Sequence, residues 1–192
     1  SFMLDSAKLI NIVLVETSHP GNIGSAARAM KNMGLSNLNL INPKKFPHGD
    51  ARALSGNALD LLESAEVLQD IQSAIANSKY VLATSARERS TDWPIVEARE
   101  AAIKIKSMVE KGDEISILFG REDRGLTNEE LQLANEHLII PADRDYPVLN
   151  LAMSVQLVCY EIHTALKSDQ NFSWQDYPEY TCLLYTSPSP RD

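Results

Sequence analysis

The chain has 192 residues, 44% hydrophobic and 23% charged, with a formal net charge of −8. That length suits one domain with a short extension, and the composition supports an ordinary globular core. No run approaches the roughly 18 uncharged apolar residues of a membrane span, and no basic-then-apolar leader opens the chain.

Short apolar runs rich in β-branched residues alternate with helical patterns. The first strand is predicted at "INIVLVE" (Ile10 to Glu16), followed by a glycine turn and a helix over Asn22–Met33. "LNLIN" (Leu38 to Asn42) is the second strand, and Leu54–Ala76 reads as one or two helices. "YVLATS" (Tyr80 to Ser85) is a strand, and Pro94–Val109 a helix whose proline suits a first turn. "ISILFG" (Ile115 to Gly120) is a strand, and Thr127–Asn135 a helix opened by a Thr127/Glu130 capping box. "HLIIP" (His137 to Pro141) is the last strand, before a long apolar helix over Leu149–Lys167. The strands are apolar on both faces, as in a parallel sheet covered on both sides. The fold class is therefore α/β with a parallel sheet flanked by helices. One domain is expected over 1–167 and an irregular tail over 168–192. The last dozen residues read as disordered or as not native, the leading Ser1 and Phe2 read as a possible remnant, and both are left out of the fold expectation.

"HPGNIGSAARAMKNMGL" (His19 to Leu35) raises the question of a nucleotide loop. A dinucleotide fingerprint needs G-x-G-x-x-G and an acid about 20 residues on, after the second strand. Here Gly21 and Gly24 are spaced G-x-x-G, the second strand runs into "LINPKK", and no G-K-[ST] follows. The Rossmann reading fails. A tight strand-to-helix turn with Arg28 on the surface remains open.

Cys159 and Cys182 offer neither metal spacing nor a disulfide framework, and Cys159 lies in an apolar helical pattern suited to the core. His19, His48, His137 and His163 are scattered. No metal is expected, and these features together point to the cytoplasm. The acidic total argues mildly against nucleic acid. Residues 1–54, however, carry Lys8, Arg28, Lys31, Lys44, Lys45 and Arg52 against Asp5, Glu16 and Asp50. A local basic face can act where the total cannot.

Two further stretches lie at the C-terminal ends of predicted strands, where α/β ligand sites form. They are "LFGREDRGLTNEEL" (Leu118 to Leu131) and "IIPADRDYPVLNLAMSVQLVCYE" (Ile139 to Glu161). Gly120 and Gly125 allow close backbone approach to a ligand, and Asn150 can either cap the last helix or orient a ligand. In this order "GNIGSAAR", "FGREDRGL" and "VLNLAMSVQLVCYE" resemble the three motifs of the SPOUT superfamily, in its SpoU branch. The likeness covers about residues 9 to 167.

The resemblance implies a sheet whose C-terminal part forms a deep trefoil knot, a homodimer with active sites at the subunit interface, and S-adenosylmethionine as cofactor. It implies cofactor contacts from Thr84, Ser85, Ala86, Gly120, Glu122, Gly125, Ile140, Pro147, Val148, Leu149 and Asn150. Arg28 and Asn22 match the catalytic arginine and asparagine of the first motif. The implied reaction is methylation of a ribose 2′-hydroxyl in RNA, most closely nucleotide 32 of the tRNA anticodon loop. An rRNA substrate and a non-catalytic RNA-binding module are the alternatives. Val148 stands where many relatives have serine: either the hydroxyl is dispensable, with backbone doing the work, which is the favoured reading, or substrate handling differs. A helical C-terminal extension common among relatives is not evident after Lys167, so weak RNA affinity is expected.

Glu122 and Asp123 are expected to be loop carboxylates rather than acid/base catalysts, because methyl transfer needs no proton donor. Arg121 and Arg124 either contact RNA or balance those acids, and Lys44, Lys45 and Arg52 either join an RNA face or are solvated. Trp93 is expected to pack.

Overall fold

The computed structural model describes residues 1–85 and 92–167. Its strands are β1 (Ile10–Val15), β2 (Asn37–Ile41), β3 (Glu66–Leu68), β4 (Tyr80–Ser85), β5 (Ile95–Glu97), β6 (Ile115–Phe119) and β7 (Glu136–Ile139). Its helices are α1 (Phe2–Ala7), α2 (Pro20–Asn32), α3 (Gly49–Ser55), α4 (Leu59–Glu63), α5 (Ile71–Ile75), α6 (Ala98–Glu110), α7 (Asn128–Leu131) and α8 (Leu151–Leu166), with a 3-10 turn over Gly56–Ala58.

The strands form one parallel sheet in the order β3-β2-β1-β6-β4-β7-β5. The chain first lays down β1, β2 and β3 outward. It then crosses to β4 and β5, inserts β6 between β1 and β4, and inserts β7 between β4 and β5. All strands point one way, so the loops after β4, β6 and β7 gather at one edge.

One face of the sheet carries Ile12, Leu40, Leu82, Ile117 and Leu138 under the long helices α2, α6 and α8. The other face carries Val13, Val81 and Leu118 under the short α5 and α7. Helix α2 buries Ile23, Ala26, Ala27 and Met30 at helical spacing, and it ends where Gly34 takes a φ of 76°. Helix α6 buries Ala98, Ala101, Ala102, Ile105 and Val109 on one stripe.

Several sequence expectations need correction. The 54–76 region holds the end of α3, the 3-10 turn, α4, the edge strand β3 and α5. Its short apolar pieces bind to different neighbours instead of forming one amphipathic face. Pro94 does not open a helix: the edge strand β5 intervenes, and α6 begins at Ala98. An edge position tolerates the missing N–H of the preceding proline. The capping box at Thr127 and Glu130 is present, but α7 stops at Leu131. Phe2 lies inside α1, with Ser1 as its N-cap.

Candidate functional site

A cleft of about 240 Å³ opens where the C-terminal ends of β4, β6 and β7 meet. Thr84 and Ser85 close β4 on one side, and the loop from Gly120 to Leu126 follows β6 on another. Ile140, Pro147, Val148 and Leu149, after β7, form the third wall. Leu138 and Leu151 give it an apolar floor. Eight of the residues anticipated for a cofactor beside Glu122 therefore line one cavity, although three separate segments supply them. Thr84 spends its hydroxyl within the sheet, donating from Oγ1 to the Leu118 carbonyl at 2.9 Å. Asn150 is not among the lining residues. It caps α8, accepting from the Ala152 and Met153 N–H groups at 2.8 and 3.4 Å. Ala86 lies outside the described residues.

The Gly120–Leu126 loop is a tight hairpin closed by a bridge between Arg121 and Gly125. Gly125 has a φ of 70°, and a Cβ on Gly120 would lie 2.3 Å from the Gly125 carbonyl carbon. Both glycines are thus required by the backbone itself. Beneath the hairpin, the buried Arg121 grips Glu130 in bidentate fashion at 2.8 and 2.9 Å. It also reaches Glu16 at 2.6 Å. These pairs push the Arg121 pKa above its ordinary value. The Arg121 hydrogen bonds hold Glu130 and Glu16 below the usual carboxylate range. The sequence reading paired Arg121 with Glu122 and Asp123 or with RNA; its guanidinium is instead spent internally on Glu130 and Glu16. Arg124, by contrast, is exposed on the cleft wall.

Glu122 faces away from that ion cluster. Its Oε1 accepts from the Ser18 N–H at 2.9 Å. Its Oε2 accepts from the His19 N–H at 2.9 Å and from Asn22 Nδ2 at 3.0 Å. Burial pushes its pKa up, but the Ser18, His19 and Asn22 donors outweigh burial and leave it below the usual range. Glu122 lines the cleft while its carboxylate is spent on the start of α2. Anionic charge at a helix N-terminus is stabilising in its own right.

Asn22 is correspondingly committed to Glu122. Arg28 lies six residues further along α2, roughly 9 Å by helical rise. It is exposed, and its guanidinium has no hydrogen-bond or ion-pair partner among the described residues. It does not line its own chain's cleft. Gly21 and Gly24 serve packing: a Cβ on Gly24 would lie 2.1 Å from the Ala51 carbonyl oxygen, and one on Gly21 would lie 2.7 Å from Leu54. The glycine motif therefore lets α3 cross α2 closely, which sequence reasoning did not foresee.

Lys44 pairs with Glu16, and Arg52 with Glu63. Trp93 stacks on His137 at 5.9 Å and donates to the Ala134 carbonyl, so it packs. Cys159 is buried, which pushes its thiol up to about 12 and leaves it inert as a nucleophile. Among the described residues, no helix is long and apolar enough to cross a membrane, and no cluster of metal-ligating side chains exists.

A parallel α/β sheet with a cleft at the strand ends, walled by the end of β4, a glycine-marked loop after β6 and a proline-marked loop after β7, defines the class. The chain belongs to the SpoU rRNA Methylase family, whose pattern matches residues 9–160. It is 50% identical over 156 residues to the tRNA (cytidine/uridine/adenosine-2'-O-)-methyltransferase TrmJ of Pseudomonas aeruginosa, covering 81% of this chain and 61% of that one. It is also 50% identical over 161 residues to the tRNA (cytidine/uridine-2'-O-)-methyltransferase TrmJ of Sodalis glossinidius, covering 84% and 63%. The structure of TrmJ from Z. mobilis ZM4 superposes with a TM-score of 0.76 at 34% identity, covering 80% of this chain and 67% of that one. The chain thus spans less than two thirds of the length of the first two relatives.

Proposed function

We propose that this chain is an S-adenosylmethionine-dependent RNA 2′-O-ribose methyltransferase acting on nucleotide 32 of the tRNA anticodon loop. The carrying observation is that three loops, distant in sequence, converge on one cleft at the strand ends. The relatives named above support tRNA over rRNA. The cytoplasm is the compartment that fits this substrate.

The cleft fits the cofactor by its donor set. An adenine and a methionine chain need backbone donors and acceptors beside an apolar slot. The Gly120–Leu126 hairpin brings backbone groups to the cleft wall, and Leu138, Ile140, Val148 and Leu149 supply apolar surface. Ser85, Gly125 and Pro147 complete the wall. When bound, the cofactor supplies an electrophilic methyl on a sulfonium. The rest falls to the chain: it must hold the ribose 2′-oxygen in line with that methyl and stabilise negative charge on the oxygen. A guanidinium stays charged at any ordinary pH, so Arg28 is no base. It binds the adjoining phosphate and stabilises the developing alkoxide, while the 2′-hydroxyl proton passes to solvent water as the O–CH3 bond forms and the S–CH3 bond breaks. Asn22 acts through Glu122, fixing α2 against the cofactor loop.

Two structural features support a homodimer with shared sites. Arg28 does not line its own chain's cleft, and in a homodimer a second copy would bring it to the cofactor. Helix α8 exposes Met153, Leu157 and Tyr160 at i, i+4 and i+7, with 62%, 41% and 50% of their surfaces open. That stripe suits a second copy of the same helix. The late insertion of β6 and β7 between strands already laid supports the trefoil knot, and residues 1–167 would form the one domain.

The test is methyl transfer from labelled S-adenosylmethionine to a tRNA anticodon stem-loop, beside the same RNA with a 2′-deoxy nucleotide at position 32. Label on the first and none on the second is expected. Equal labelling of both sinks the position, and labelling of rRNA fragments alone sinks the tRNA assignment.

A further inference from the structure

Helix α2 presents Gly24, Arg28 and Lys31 along one stripe, at i, i+4 and i+7. The segment 49–60 lies along that stripe in the same order. Gly24 meets the Ala51 carbonyl and the Ser55 N–H, where an added Cβ would lie at 2.1 and 3.0 Å. Lys31 reaches the Asn57 carbonyl oxygen at 3.0 Å and Asp60 at 2.9 Å. Between these two fastenings, Arg28 lies over Gly56: a Cβ built there would stand 3.8 Å from both Cδ and Nη1.

Gly56 has φ 55° and ψ −128°, a conformation that side chains avoid. The same turn therefore requires glycine for its backbone and presents a bare surface to the guanidinium stem. A Cβ there would already be in van der Waals contact with Arg28, so a long side chain competes with it for that space. Arg28 needs such a support. It is a long, exposed side chain with no hydrogen-bond or ion-pair partner among the described residues, and nothing else named here limits its rotamers.

We infer that the Ser55–Asn57 turn is a seat for Arg28, with Gly56 as a positioning residue and Lys31 as the fastening that holds the turn in place. This inference rests on the proposed role of Arg28 toward RNA. The seat leaves the guanidinium nitrogens uncommitted and aims them, so that a phosphate and a developing alkoxide meet a pre-ordered group.

The test compares Gly56→Leu with Gly112→Leu. Gly112 also has a positive φ, 83°, with open space around it, so the second variant puts a side chain on a positive-φ glycine without touching Arg28. The first readout is the Arg28 Nε–Hε signal in nitrogen-15 NMR, identified by its loss in Arg28→Ala. Wild type and Gly112→Leu should show a heteronuclear NOE near that of ordered backbone. Gly56→Leu should lose it, and so should Lys31→Ala, which frees the turn without adding bulk and serves if Gly56→Leu fails to fold. Equal Arg28 mobility in wild type and Lys31→Ala would overturn the seat.

The second readout is methyl transfer. Gly56→Leu should lower kcat by about 10²-fold, the scale of a misplaced reacting group, with KM for S-adenosylmethionine unchanged. Placed on Arg28→Ala it should add nothing, whereas an additive loss refutes the coupling. Absence of transfer by wild type on every RNA would sink the functional reading, and the NMR result would still decide the seat.

Discussion

The Glu122 carboxylate and the Asn22 amide meet at 3.0 Å, joining the cleft loop after β6 to the first turn of the arginine-bearing helix. Two backbone N–H groups, from Ser18 and His19, complete the junction at 2.9 Å each. A loop more than a hundred residues away in sequence thus fixes where α2 begins, and with it the direction in which Arg28 is carried.

Glu122→Gln tests that junction with almost no change of shape. An amide keeps one acceptor oxygen and turns an NH2 group toward donors. At least one donor loses its partner, which costs about 1–3 kcal/mol. Urea unfolding should show this loss with an unchanged m-value. Asn22→Ala should cost less, because water can reach the remaining carboxylate oxygen. If Glu122→Gln is as stable as wild type, the junction does not hold α2.

Arg28→Ala should separate chemistry from stability. Arg28 is exposed and makes no ion pair among the described residues, so unfolding should change by no more than about 0.5 kcal/mol. Affinity for S-adenosylmethionine should persist, because Arg28 does not line its own chain's cleft. Methyl transfer should fall by at least about 10²-fold, as for loss of a charge-stabilising donor. Near-normal turnover in this variant would remove Arg28 from the mechanism.

Gly120→Ala should act in the opposite sense. Its Cβ would sit 2.3 Å from the Gly125 carbonyl carbon and 2.4 Å from the Leu126 nitrogen, so the hairpin must open. Calorimetry should find S-adenosylmethionine affinity reduced more than tenfold, while Gly112→Ala leaves it intact. Equal affinities would show that the hairpin is not the binding wall.

The strands were legible because each is a short, nearly uninterrupted apolar run, and β4 matches its predicted bounds at both ends. Edge strands β3 and β5, at three residues each, were not: "EVL" and "IVE" are too short for any period to register. The cleft wall was legible through motif resemblance, since Gly120, Gly125 and Pro147 are readable as letters. The Glu122 junction was not, because a carboxylate bonding backbone N–H groups a hundred residues distant leaves no local pattern. The packing role of the glycine pair in α2 was hidden for a related reason. Gly24 answers to the Ala51 carbonyl on another helix, and a close helix crossing uses the same residue as a phosphate loop.

The Arg121 cluster gives a pH dependence with a definite sign. Glu16 and Glu130 both have folded pKa values below their ordinary 4.5, through hydrogen bonds from Arg121. A carboxylate depressed on folding contributes stability that is fully present above its unfolded pKa and lost as pH falls through the folded value. Stability should therefore be flat from neutral pH down to about 5 and then decline below 4.5. Arg121→Met removes the shared cation and leaves two carboxylates facing each other. At pH 7 it should cost about 3–5 kcal/mol, the range for breaking a buried pair from one side. Without the cation, burial and mutual repulsion raise these two carboxyls, so their protonation relieves the repulsion already above 4.5, and the gap between wild type and variant should narrow as pH falls from 7 towards 4. Urea unfolding at pH 7, 5 and 4 measures both slopes. A gap independent of pH would mean that Arg121 contributes packing alone and that its ion pairs carry no net stability.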